Sequence, residues 1–148
     1  MSLGVSLSAP GIGTALAYSF CGRFPVAKSS CSAVLLPYIM EKLVASRPEK
    51  MAKAASLLGE SAAEDQMDRV TPPVKTENAS TADEAKMAVS LIRSYMKQLS
   101  IPSNFKELSL TLDKLVSVAD AARDLEFVAF SPWTVASEDA YDLIKQAY

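Results

Sequence analysis

Residues 10–37 read PGIGTALAYSFCGRFPVAKSSCSAVLLP, the densest run of side chains in this chain that are capable of chemistry. Lys28 stands in a cluster with Ser29, Ser30, Cys31 and Ser32, and Cys21 precedes it. A serine next to a lysine is one arrangement that can support nucleophilic catalysis. The chain contains no histidine, which excludes Ser–His and Cys–His pairs outright. Cys21 and Cys31 are the only cysteines and form no CxxC, so ligand count excludes an ordinary zinc site. A disulfide between them and two free thiols are both open, and the non-secretory look of the chain favours free thiols. Gly11-Ile12-Gly13 lacks the third glycine of a dinucleotide fingerprint and follows no strand, so it is no phosphate cradle. Asp83-Glu84 and Glu138-Asp139 fall where helices start, and compensation of the helix dipole accounts for them without catalysis.

The elements that must position these residues are helical almost throughout. Gly11 to about Phe20 is apolar on most faces, which predicts a helix buried on most sides. A second helix is expected over residues 30–45, kinked at Pro37 or starting there. Ser46-Arg47-Pro48-Glu49 reads as a capping box for a third, with Met51, Ala54, Ala55 and Leu58 inward and Gly59 as its stop. Residues 60–80 are acidic, carry Pro72-Pro73 and read as an exposed loop; its Asn78-Ala79-Ser80 sequon is a tripeptide common by chance. Thr81-Ala82-Asp83-Glu84 reads as the next capping box. Ala85, Ala88, Val89, Ile92, Tyr95, Met96 and Leu99 then follow at steps of three and four, and Ile101-Pro102 ends that helix. Asn104–Leu108 suggests a short turn. Thr111 should cap a helix that buries Leu112, Leu115, Val116, Ala119 and Ala122. Ser137 with Glu138-Asp139 should open a last one that buries Ala140, Leu143, Ile144 and Ala147. Glu126–Phe130 alone has β character, and one short segment builds no sheet. The predicted fold is an all-α bundle of about six or seven helices.

Length and composition agree with one domain spanning residues 1–148. With 49% hydrophobic and 22% charged residues, the chain has the balance of a soluble globular protein. A net charge of −2 with scattered Lys and Arg gives no reason to expect nucleic acid or a membrane surface. Residues 4–22 carry no charge, but Pro10, Gly11, Gly13 and three serines break the run, so it is neither membrane span nor signal peptide. A cytoplasmic location is therefore expected. The abrupt apolar start suggests a piece of a longer chain, with Met1-Ser2-Leu3 as added residues.

Several stretches, in order, resemble the C-terminal helical domain of the iron-containing alcohol dehydrogenase family, within the dehydroquinate synthase-like superfamily. PGIGTALAYSF is similar to the HGIGHALG helix of the maleylacetate reductase branch, and FPVAKSSCSAVLLPYIM to the following PHG…LLPxVM segment. RPEKMAKAASLLG resembles the next helix, and LSIPSNFKELSLTLDKLVSVADAA resembles the LGIP…L…LxxLAxxA run. SPWTVASEDAYDLIKQAY resembles the NPRPLTxEDIxxLYxxAY ending. The resemblance implies an N-terminal domain that binds NAD or NADP and is absent from this chain; that domain is the expected partner, with a homodimer also open. It further implies a divalent metal, iron or zinc, that polarises a substrate oxygen during hydride transfer. Two histidine ligands come from the first helix and the PHG turn, and a further histidine lies near the nicotinamide.

This chain departs from that pattern at each of those positions. The PHG turn reads Ala27-Lys28-Ser29, so Lys28 stands where a metal-binding histidine is expected. Counting back without gaps puts Thr14 at the other ligand and Tyr18 at the nicotinamide-side histidine; matching PGIGT onto HGIGH gives Pro10 and Thr14 instead, with about four residues inserted before Phe24. A protonated lysine ligates no cation, and threonine or proline is a poor donor to a soft metal. A lost metal site is therefore expected, and three readings follow. The chain is a degenerate enzyme domain, inactive alone. Or it is a metal-independent carbonyl or alcohol oxidoreductase once joined to its N-terminal domain, with Lys28, Tyr18 and Thr14 as catalytic candidates. Or it is a helical interaction module that makes contact through residues 60–80.

Overall fold

The computed structural model describes residues 11–64, 80–136 and 138–148. Its elements are α1 (Ile12–Cys21), α2 (Lys28–Ser46), α3 (Pro48–Glu64), α4 (Thr81–Gln98), α5 (Leu112–Arg123), a 3-10 helix (Glu126–Phe130) and α6 (Asp139–Gln146). The described residues thus form six α-helices and no strand, as the periodicity predicts. Pro10, Pro72-Pro73, Asn78 and Ser137 lie outside the described residues. By packing, the chain divides into two compact units, Met1–Tyr38 with Pro102–Tyr148, and Ile39–Ile101. The division falls directly after Tyr38, beside Pro37 inside α2, where the missing N–H interrupts the helical ladder.

In the first unit α1 packs against α5 and the 3-10 helix, and α5 packs against α6. α1 buries Ile12, Ala15, Leu16, Ala17, Ser19 and Phe20, which is the nearly all-round burial its composition predicts. Phe20 stacks on Phe105 with ring centroids 4.5 Å apart. The Phe105 N–H donates to the Ala147 carbonyl at 2.9 Å, tying the turns of residues 105–109 to the end of the chain. All four residues predicted inward on α6 are buried. On α5, Leu115, Val118, Ala119 and Ala122 are buried and Val116 is exposed. Spacings of three and four from Leu115 reach Val118 and Ala119, whereas Val116 lies about 100° around the helix. Glu126–Phe130 is a 3-10 helix and no strand. With no strand among the described residues to pair with, its backbone closes locally, for example from the Val128 N–H to the Leu125 carbonyl at 3.1 Å.

In the second unit α3 pairs with α4. Met40, Met51, Ala55, Ala85, Ala88 and Val89 form its core, with Leu43, Val44, Met87 and Ile92 packed around them. Four expectations shift here. Ser46 belongs to α2 and its hydroxyl donates back to the Lys42 carbonyl at 3.2 Å, so it does not cap α3. α3 runs through Gly59 to Glu64, and residues 60–64 leave the predicted loop. A Cβ at Gly59 would meet nothing, so glycine there costs helix propensity without ending the helix. α4 is capped one residue early: Ser80 Oγ accepts from the Asp83 N–H at 3.3 Å and donates to Asp83 Oδ2 at 2.8 Å. At its other end α4 stops at Gln98, before Ile101-Pro102. The Ile101 N–H reaches the Met96 carbonyl and the Ser100 N–H that of Lys97, with Ser100 left-handed at φ 53°. This is a Schellman motif without its usual glycine. It leaves Leu99 exposed, while Leu91 takes a buried place on α4.

Candidate functional site

Gly11 and Ile12 fix where α1 begins. A Cβ at Gly11 would lie 3.2 Å from Ser131 Oγ and 3.3 Å from Ser131 Cα, so only glycine fits that approach unstrained. The Ile12 N–H donates to Ser131 Oγ at 3.0 Å, which satisfies one of the open donors at the helix start. From this anchor Thr14 and Tyr18 follow four residues apart and share one face of α1. Both are half-buried. The Tyr18 ring tilts against Phe127 of the 3-10 helix, with centroids 5.8 Å apart and 44° between the planes.

The connector from α1 to α2 folds back on the helix it leaves. The Gly22 N–H bonds to the Tyr18 carbonyl at 3.0 Å, and the Arg23 and Phe24 N–H groups both bond to the Phe20 carbonyl. The Val26 N–H then closes a tight turn onto the Phe24 carbonyl at 2.8 Å. Lys28 opens α2 directly afterwards, and its Nζ lies 4.1 Å from the centroid of the Tyr18 ring. An ammonium at a helix N-terminus faces the positive end of the dipole. The electron-rich face of the phenol offsets that, at about 0.5–1 kcal/mol for an exposed pair. Lys28 is exposed, and its ammonium lies against the Tyr18 ring all the same.

Of the three sequence candidates, the structure brings Lys28 and Tyr18 together. Thr14 shares the Tyr18 face of α1, and among the described residues no hydrogen bond joins it to Lys28. Phe127, which holds Tyr18, comes from the stretch read as weakly β-like, and Ser131, which holds the start of α1, opens the SPWTVASEDAYDLIKQAY stretch, to which sequence reasoning assigned no site role. An aromatic at 127 and a Ser-Pro at 131 were the available signals.

Both thiols are free. Burial pushes the Cys31 thiol up to about 11, and the nearby Cys21 adds to the effect. Cys31 therefore stays protonated at neutral pH and acts as a small apolar core residue. Among the described residues no three acidic or thiol side chains gather into a metal-binding group. No helix among them is long and apolar enough to cross a membrane.

The model of the C-terminal domain of the Fe-containing alcohol dehydrogenase family matches residues 3–148. The chain belongs to that family. As a C-terminal domain of the iron-containing alcohol dehydrogenases, it is similar in fold to an alcohol dehydrogenase from Oenococcus oeni, with a TM-score of 0.76 and 22% identity over 93% of this chain. It is equally similar to a 1,3-propanediol oxidoreductase, with a TM-score of 0.77 and 21% identity over 93% of the chain. The chain spans 32% of the length of each. No curated protein matches it.

Proposed function

We propose that this domain serves an alcohol dehydrogenase-like oxidoreductase whose metal site has been lost, and that it is inactive as an isolated chain. The contact of the Lys28 ammonium with the Tyr18 ring, at 4.1 Å, carries this reading. At the two positions where the family resemblance puts metal-binding histidines, the chain offers the Lys28 ammonium and either the Thr14 hydroxyl or Pro10, and at the nicotinamide-side histidine Tyr18 or Thr14. A fixed positive charge repels a divalent cation and donates hydrogen bonds only, so this donor set does not fit iron or zinc. NAD(P) then belongs to an N-terminal domain of the same protein, the partner in this reading, in the cytoplasm. Incubation with iron(II) or zinc followed by desalting and elemental analysis tests the metal claim. We expect no stoichiometric metal, and one tightly bound ion per chain overturns the reading.

The same contact favours a second reading. Joined to a nucleotide-binding domain, the Lys28 ammonium would polarise a substrate carbonyl as hydride arrives, with Tyr18 or Thr14 passing a proton to the new alkoxide. The Tyr18 ring holds the ammonium without quenching its charge, as a carboxylate partner would. The test is NAD(P)H-dependent carbonyl reduction by a chain that carries both domains. Lys28→Ala should lower kcat about 100-fold, the scale of one lost oxyanion donor. Unchanged turnover removes Lys28 from the chemistry.

A further inference from the structure

Tyr18 touches two partners from distant parts of the chain. The Lys28 ammonium lies 4.1 Å from its ring centroid, and the Phe127 ring packs against it with centroids 5.8 Å apart. Among the described residues no carboxylate pairs with Lys28, so the phenol ring is what locates its ammonium. An exposed lysine on its flexible stem otherwise samples many positions. The ring that holds it is only half-buried. In an α-helix a tyrosine chooses chiefly between χ1 of about 180° and about −60°, which send the ring in different directions. Phe127 meets the ring in one of them. The segment that carries Phe127 has little freedom to follow the ring elsewhere. The Leu125 N–H ties it to the Ala122 carbonyl of α5 at 3.2 Å, and Ser131 Oγ ties it to the Ile12 N–H of α1 at 3.0 Å.

We infer that Phe127 is a positioning residue for the Lys28 ammonium and acts through Tyr18. It selects the Tyr18 rotamer on which the ammonium rests, and so sets where the positive charge is presented. The inference rests on the reading in which Lys28 polarises a substrate carbonyl. An aromatic pair shifts a two-rotamer balance about two- to tenfold, enough to decide which position the charge occupies. A charge that stabilises a developing alkoxide works best when it is already in place as hydride arrives. Phe127 supplies that order without a carboxylate that would quench the ammonium.

The test reads the Lys28 ε-methylene signal in a ¹H–¹³C spectrum of the 148-residue chain. The ring current of Tyr18 should displace that signal upfield, and Tyr18→Ala marks the position of a Lys28 without a ring beside it. Phe127→Leu keeps an apolar side chain in the 3-10 helix and should carry the signal most of the way to that mark. Phe127→Tyr restores a ring and should hold it near its original place. A signal that Phe127→Leu leaves unmoved overturns the proposal, as does an undisplaced signal in the unsubstituted chain. Should Phe127→Leu fail to fold, the Tyr18 side-chain couplings of the unsubstituted chain decide. One χ1 rotamer with nuclear Overhauser contacts to both Phe127 and Lys28 supports the proposal, and averaging over rotamers overturns it. These spectra need neither cofactor nor substrate, so they stand apart from turnover. In a chain that carries both domains, Phe127→Leu should lower kcat about two- to tenfold with KM little changed. Unchanged kcat overturns the positioning role, whereas no NAD(P)H-dependent turnover in the unsubstituted two-domain chain overturns the reading of Lys28 itself.

Discussion

Two helices of this molecule are stabilised in opposite ways. α1 carries no charge, has no side-chain cap at Gly11, and buries six of its ten residues. α4 is capped by Ser80, opens with Asp83 and Glu84, closes with Lys97 and buries a stripe on one side. A short helix without caps or charge pairs is marginal in water, so α1 owes its conformation to its neighbours in the first unit. α4 brings its end contacts with it. The helix that presents Thr14 and Tyr18 is therefore the one held by tertiary packing, and the site inherits that dependence.

The largest expected effect tests α1. Phe20 is fully buried against Phe105, and Phe20→Ala should cost about 3–5 kcal/mol in urea unfolding. A loss near 1 kcal/mol would break the contrast, because α1 would then hold without its packing. Cys31 sharpens it next. Its thiol is raised from 9.0 to about 11 by burial, so the folded state keeps a proton that the unfolded chain releases. That contribution is complete below pH 9 and is lost as pH rises towards 11. Cys31→Ala should flatten the alkaline stability profile over that window, and an unchanged slope would place the thiol in contact with water.

In α4 the effects should be smaller and local. Ser80→Ala should cost about 1 kcal/mol, the usual value of a helix cap. The Ser80 hydroxyl, with some help from Lys86, holds the Asp83 carboxyl below its ordinary range. That stabilisation is present at neutral pH and disappears as pH falls through the lowered value, so the Ser80→Ala penalty should shrink in acid. Ser100→Gly should stabilise by about 0.5–1 kcal/mol, because glycine adopts φ 53° without strain. Smallest of all, Glu41→Gln should change stability by less than about 0.5 kcal/mol, although Arg93 contacts Glu41 at 2.7 Å, because the pair is exposed. A loss above 1 kcal/mol there would mean that α4 depends on more than its own cap and core.

Most of the helices were legible in the sequence, and the errors cluster at their ends. Ser80 displaced Thr81 as the cap, and α3 passed through Gly59, because neighbouring residues compete for the same few backbone groups. The buried stripes were nearly right. Val116 and Leu99 failed because a stripe is set by which face meets a partner, and periodicity leaves that face uncertain by about one residue. Of the site, sequence reasoning reached Lys28, Tyr18 and Thr14 through the family resemblance. It missed Phe127 and Ser131, which lie more than a hundred residues beyond α1.

The sequence by itself determined the all-α class, the order of the helices and the exclusion of histidine chemistry, since these follow from residue types and local spacing. Only the tertiary structure decided that Lys28 rests on Tyr18. That contact needs the connector to turn back onto α1 and a 3-10 helix from far along the chain to brace the ring. Local propensity encodes neither, because each depends on which buried surfaces find one another.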